Sequence, residues 1–341
     1  MDGLKIIGQN DYLTLADAEE DAKNARPDAA YNTNGIFVNG RNNPANQKPH
    51  HVIIRNCTIS KCAGGGIVGI ETDYLTVEDN KVFDNSWYTR YASSGITTLN
   101  NWAFDEKEGY HVIIQRNYVW NNKTLVPWER TGKLSDGNGI ILDVTDQSNN
   151  GATNPINDTS VTQNDQKTDK TSSRPEWKAR ALIANNLSAY NGGSGIHTFR
   201  TKHVDIFNNT TYSNGMVTGY QELFPNNSED IVIKNNIIVP KPGGKVTSNN
   251  KNTNIIWDYN LYPSKQDVFI GANDIISDPI FREVTLIPTE GAFSLKSGSP
   301  GLNAGTSEIS SDSDINGNKR IKNKGVDIGA FEQNFRSMFQ Y

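Results

Sequence analysis

At 341 residues the chain is long enough for two ordinary domains, but one repeat covers most of it, so a single elongated domain over 1–341 is expected. The net charge of −5 is mild for this length and argues against a broad nucleic-acid footprint. No apolar run approaches the roughly 20 residues that a bilayer span requires.

Near the start, Leu4-Lys5-Ile6-Ile7 reads as the last strand of an incomplete coil, so further sequence is expected before Met1. Within an N-terminal loop and helix over 11–33, Thr14-Leu15-Ala16-Asp17 has capping-box spacing ahead of an Ala/Glu/Lys-rich run. That predicts one short helix to about Ala25, placed to cover the open end of a coil, where bare strand edges invite aggregation.

From residue 34 onward two phrases alternate. One is apolar-x-apolar and ends in Asn: Val52 to Asn56, Leu75 to Asn80, Val112 to Asn117, Leu182 to Asn186, Val204 to Asn209, Ile231 to Asn236 and a worn copy ending at Asn260. The other is a short Gly-Ile phrase, at Gly35-Ile36, Gly66-Ile67, Gly95-Ile96, Gly139-Ile140 and Gly195-Ile196. Between them lies a third short strand, as in Thr58-Ile59 and Tyr118-Val119-Trp120. Three alternating strands per period of 23 to 24 residues, as from Asn186 to Asn209 and from Asn56 to Asn80, predict an all-β solenoid. Its form is a right-handed parallel β-helix of about eight coils, each strand pairing with its equivalent about 4.8 Å away.

The Asn at the sharp corner of each coil is expected to tolerate a left-handed backbone and to bond to the Asn of the next coil, which accounts for the 43 Asn among 341 residues. Cys57 and Cys62 read as core thiols and not as a bridge. His51, His111 and His203 each precede the apolar-Asn phrase and read as a stacked structural column.

If the Ile of each Gly-Ile phrase points inward, the residues one and three places later point outward. That face carries Phe37 and Asn39, Val68 and Ile70, Thr97 and Leu99, Ile141 and Asp143, and His197 and Phe199, with Glu222 from a degenerate sixth copy, Tyr220 to Phe224. Insertions flank only this strand. They carry Trp87, Tyr88 and Arg90; then Trp102; then Trp128, Arg130, Lys133 and Asp136; and then a polar stretch over 145–178, expected to be mobile. Loops that bracket one strand face build a groove.

The three-strand coil, the uninterrupted Asn corner and the loops beside one sheet resemble the pectate-lyase-like superfamily of β-helix proteins that act on polysaccharides. A C-terminal closing segment over 264–341 is similar to that of many secreted bacterial β-helix proteins, through Ser299 to Gly305, Asp314 to Arg320 and Gly325 to Glu332. The resemblance implies a glycan in the groove, a monomer acting on a polysaccharide, and a secreted or cell-surface setting whose leader is not part of this sequence.

The candidate catalytic residues are Lys133, Asp136, Asp143, His197 and Arg200. A carboxylate, an imidazole and cations around one groove suit uronate chemistry: Lys133 or Arg200 takes the proton, Asp136 or Asp143 holds Ca²⁺ or orients the base, and His197 contacts substrate. Gly192-Gly193 is expected to leave one edge of this site open. Trp87, Tyr88, Trp102 and Trp128 are candidate stacking platforms, and Arg90, Arg130, Lys202 and Glu222 candidate substrate contacts. The bland reading is that Asp143 caps a turn, that Arg200 pairs with it and that the aromatics anchor loops.

Three functional readings follow: a lyase cleaving a uronate-containing glycan by β-elimination, an inverting hydrolase using Asp143 and Glu222 two coils apart, and a non-catalytic glycan-binding protein. Asp312-Ser313-Asp314-Ile315-Asn316-Gly317 matches half of a calcium loop, but its twelfth position is Asn323, so a capping turn is expected there.

Overall fold

The computed structural model describes residues 1–145, 174–288, 291–320 and 325–333. Three parallel sheets run side by side along the coil. Sheet 1 has six strands: Ile36–Asn39, Ile67–Ile70, Ile96–Leu99, Ile140–Asp143, Ile196–Phe199 and Leu223–Asn226. Sheet 2 has seven, from His50–Arg55 to Thr253–Asp258, and sheet 3 has nine, from Lys5–Ile7 to Ile275–Ile276. From Lys5–Ile7 to Ile237–Val239 the chain visits them in the same order on every turn, which makes the fold a parallel β-helix with three strands per coil.

Register explains why each strand sits where it does. Ile36, Ile67, Ile96, Ile140, Ile196 and Leu223 stand directly above one another and are buried. Sheet 2 adds Ile54, Val77, Ile114, Ile183, Ile206 and Ile233 to the same interior. Each such side chain contributes roughly 1.5–3 kcal/mol by leaving water. A slip by one residue would turn the whole column outward, so the stack locks its own register.

The corners divide between two residues the tasks expected of one. Asn56, Asp79, Arg116, Asn185, Asn208, Asn235 and Tyr259 take positive φ of 53–58°. The residue after each makes the ladder: Asn80, Asn117, Asn186, Asn209, Asn236 and Asn260 join amide to amide at 3.0 Å. Asn56 is thus a corner residue, and Cys57 holds the first rung, accepting from Leu4 N and facing Asn80 through its own N–H.

A second ladder, at the corner between sheets 3 and 1, runs Asn85, Asn122, Asn191 and Asn214, with Cys62 as its first rung. Both cysteines are free and buried, as expected of core thiols.

The helix α1, Leu15–Asp21, is capped by Thr14, whose hydroxyl accepts from Asp17 N. It ends earlier than Ala25 and does not cover the coil end. Its Ala18 shares one apolar cluster with Ala63, Tyr88 and Val126 from three successive coils, so it lies along the flank.

The histidine column forms only in part. His51 stacks on Tyr74 at 4.2 Å and Tyr74 on His111 at 3.8 Å, but a register irregularity at Arg180 interrupts it, and His203 bonds to Asp230 at 2.7 Å.

The C-terminal segment folds back over the outer face of sheet 3. Phe293, Ile315, Ala330 and Phe331 pack with Tyr118, Trp120 and Leu187 there. Asp314 accepts from Asn316 N, Asn318 N and Glu332 N, so the Asp312–Gly317 stretch is a capping turn. Asn323, and residues 146–173 of the polar insertion, lie outside the described residues. Among the described residues no helix is long and apolar enough to cross a membrane.

Candidate functional site

Sheet 1 presents two outward columns. Thr97, Ile141, His197 and Phe224 form one, and Leu99, Asp143, Phe199 and Asn226 the other. The loops expected to bracket this face do so, and they enclose a cleft of about 290 Å³. Asp136, Asp143, His197 and Arg200 line it together, with Trp128 and Arg130 on its rim. Sequence spacing therefore located the floor of the cleft, because in-register strands bring residues of neighbouring coils within about 4.8 Å.

His197 faces away from the coil interior, yet it is only 6% exposed. It stacks on Phe224 at 4.8 Å and meets Tyr220 edge-on at 6.0 Å. Neither ring nitrogen has a hydrogen-bond partner, and burial pulls its pKa down to about 3, so the imidazole is neutral at pH 7.

Arg200 occupies a corner with φ 51° and is 2% exposed. Its guanidinium lies over Phe199 at 4.7 Å, and Nε and Nη1 have no hydrogen-bond partner. The expected pairing with Asp143 does not form.

Asp136 also sits at positive φ, 62°. It accepts from Ser135 Oγ at 3.0 Å and from Asn138 Nδ2 at 3.1 Å. Burial outweighs those bonds and pushes its carboxyl up to about 6.

Other expectations are corrected. Lys133 is exposed on the tight turn 128–133, where its carbonyl accepts from Trp128 N, and its side chain does not line the cleft. Glu222 is not on the outer face. The sixth strand starts at Leu223, level with Ile196, two residues later than its local pattern suggests.

Glu222 is instead 1% exposed at the end of the second ladder, where its carboxylate accepts from Asn214 N and Nδ2. Burial raises it to about 8. Asp143 and Glu222 therefore do not form a carboxylate pair across the cleft.

Tyr88 and Trp102 are buried: Tyr88 beside α1, and Trp102 beneath Lys48 Nζ at 4.4 Å. Trp87 donates Nε1 to Asn121 O at 3.0 Å. Arg90 braces loops through Glu129 and Asn24 O, and Lys202 opens a sheet 2 strand and pairs with Glu229 at 3.1 Å. None of these five lines the cleft, although Arg90 braces Glu129, which does.

Gly192 and Gly193 do not open an edge either. A Cβ on Gly193 would meet Asp136 O at 2.4 Å, so glycine is there to let two coils approach closely.

Tyr91, Tyr220, Arg41 and Asn226 line the cleft without having been singled out as site residues. Asn226 follows from the register of Phe199 once the sixth strand is phased correctly. Arg41 and the two tyrosines lie on loops, where no period marks them.

Among the described residues no three His, Cys, Asp or Glu side chains converge, and Asp136 and Asp143 share their cleft with the guanidiniums of Arg41, Arg130 and Arg200.

No family model and no curated protein matches the chain. Among solved structures, a crystal structure of pectate lyase Pel9A is similar over 83% of this chain, with 16% identity and a TM-score of 0.40. The chain spans 65% of the length of that structure. At that level of likeness no chemistry transfers, and the parallel β-helix rests on the three sheets themselves.

Proposed function

We propose that the protein acts on an acidic polysaccharide and cleaves a uronate-containing glycan by β-elimination in the cleft on sheet 1. The observation that carries this reading is Arg200. A buried guanidinium with unpartnered nitrogens is costly, and a carboxylate is the ligand that relieves the cost through charge-assisted hydrogen bonds. Arg200 thus takes the place expected of Ca²⁺, neutralising the uronate so that the adjacent C5 proton becomes acidic.

His197 is the base. Its imidazole is neutral and unpartnered, and a carboxylate docking beside it raises its affinity for a proton. As the C5–H proton passes to His197, the C4–O4 bond breaks, C4 and C5 become doubly bonded, and O4 leaves with a proton. Trp128 and Tyr91 on the rim suit stacking against sugar rings.

Hydrolysis is the second reading, favoured by one observation: Asp136 and Asp143 line the same cleft, and Asp136 is pushed up to about 6, as suits a general acid. A panel of acidic and neutral polysaccharides separates the readings. Elimination yields an unsaturated sugar absorbing in the near ultraviolet, hydrolysis yields reducing ends without it, and a binder is retained on a glycan column without products. The variant His197→Phe keeps the ring stacked on Phe224 but removes the base, so it should lose elimination; full turnover by this variant would show the site to be misassigned.

A further inference from the structure

We propose that Tyr220, Ser135 and Asp136 form a proton relay in which Tyr220 is the catalytic acid that protonates the departing sugar oxygen. This rests on the elimination reading of the same cleft, which names a base but leaves the leaving group without a proton donor.

Three oxygens stand in line. The Tyr220 hydroxyl lies 3.3 Å from Ser135 Oγ, and Ser135 Oγ lies 3.0 Å from Asp136 Oδ2. Tyr220 and His197 meet edge-on with ring centres 6.0 Å apart, so acid and base flank one space. All four side chains line the cleft.

The carboxyl end of the line is held in place. Thr124 Oγ1 donates to Ser135 O at 2.5 Å, Gly137 N to Ser93 O at 2.8 Å, and Gly193 N to Gly137 O at 2.8 Å. Asp136 and Gly137 both take positive φ, 62° and 68°, so the loop turns sharply at the carboxyl.

Loop bracing alone does not explain this. An asparagine would brace as well and tolerate that backbone, whereas a carboxyl at this place carries a desolvation penalty. Burial also raises the Tyr220 phenol, which keeps it protonated and ready to donate.

The step balances without another reagent. The C4–O4 electron pair stays on O4, which takes the Tyr220 proton. The phenolate takes the proton of Ser135, and Ser135, its hydroxyl turning from donor to acceptor, takes the proton that Asp136 carries below about 6. Afterwards Asp136 is a carboxylate and His197 an imidazolium holding the C5 proton; both reset by exchange with water once product leaves.

The test uses the full chain and two substrates: an acidic polysaccharide that the wild type cleaves, and a synthetic uronide whose C4 leaving group is 4-nitrophenolate, which departs without a proton. On the polysaccharide, Tyr220→Phe should lower kcat by roughly 10²–10⁴-fold with little change in KM. Ser135→Ala and Asp136→Asn should also lower kcat. On the nitrophenyl uronide all three should stay within roughly tenfold of wild type.

Equal losses on both substrates, or a fall in Tm in proportion to the loss, would make the three residues a brace and overturn the relay. Should the wild type yield unsaturated product while Tyr220→Phe keeps full turnover, the relay fails and the elimination reading stands. A wild type that yields no unsaturated product from any acidic polysaccharide sinks both.

Discussion

Arg200 and Arg320 are each only 2% exposed, yet they teach opposite lessons. Arg320 lies under the C-terminal segment, against the corner that bears the first ladder. Its Nη1 donates to Glu332 at 3.0 Å and to Asp327 O, and its Nη2 to Asn185 Oδ1 at 2.7 Å and Gly329 O at 2.8 Å. Nε lacks a partner in both, but Arg200, on the cleft wall, has nothing on Nη1 either. A buried charge with partners is a structural fastener, and one without them marks a place where a ligand is expected. The two outer walls differ in the same way. Sheet 3 is sealed by its own tail, whereas sheet 1 keeps a cleft.

Removing each guanidinium sharpens that contrast. Arg320→Met should cost about 3–5 kcal/mol in denaturant unfolding, because the buried Glu332 loses the guanidinium that pairs with it. Turnover per folded molecule should be unchanged. Arg200→Met should do the reverse, lowering kcat/KM by roughly 10²–10³-fold while Tm holds or rises. A comparable loss of stability in both variants would erase the distinction.

Glu222→Gln probes a third buried group, one that belongs with the fasteners. Because burial raises its carboxyl from 4.5 to about 8, the folded chain keeps a proton that the unfolded chain releases. Its contribution is therefore fully present below 4.5 and is lost as pH rises towards about 8. The Gln variant should flatten that slope in unfolding experiments on either side of the range and leave turnover alone. If turnover collapses instead, Glu222 reaches the cleft after all. The smallest effect expected is that of a chelator, which should change turnover by less than about twofold, since Arg200 does the neutralising. A large loss would put a divalent cation back beside Asp136 and Asp143.

Much of this comparison was legible in the chain. The recurring Ile and Asn phrases announce three strands per coil, and period two sends His197 and Asp143 outward. Glu222 was misplaced because the sixth copy lacks the Gly-Ile signal, and its phase is dictated by Ile196 on the neighbouring strand instead of by its own residues. Lys133, Trp87, Tyr88 and Trp102 depart from expectation for another reason. Whether a loop side chain faces a groove or a packing neighbour depends on contacts such as those of Tyr88 with α1 or Lys48 over Trp102, which have no sequence period.

The coil, the ladder and the face on which chemistry would sit are thus written in the local pattern, because short-range alternation and recurring phrases fold into stacked equivalents. Which charged side chains are fastened and which keep open nitrogens depends on how the coils and the tail come together. Hydrogen-bond satisfaction is settled by groups brought in from other coils and from the returning tail, and no local pattern of residues encodes it.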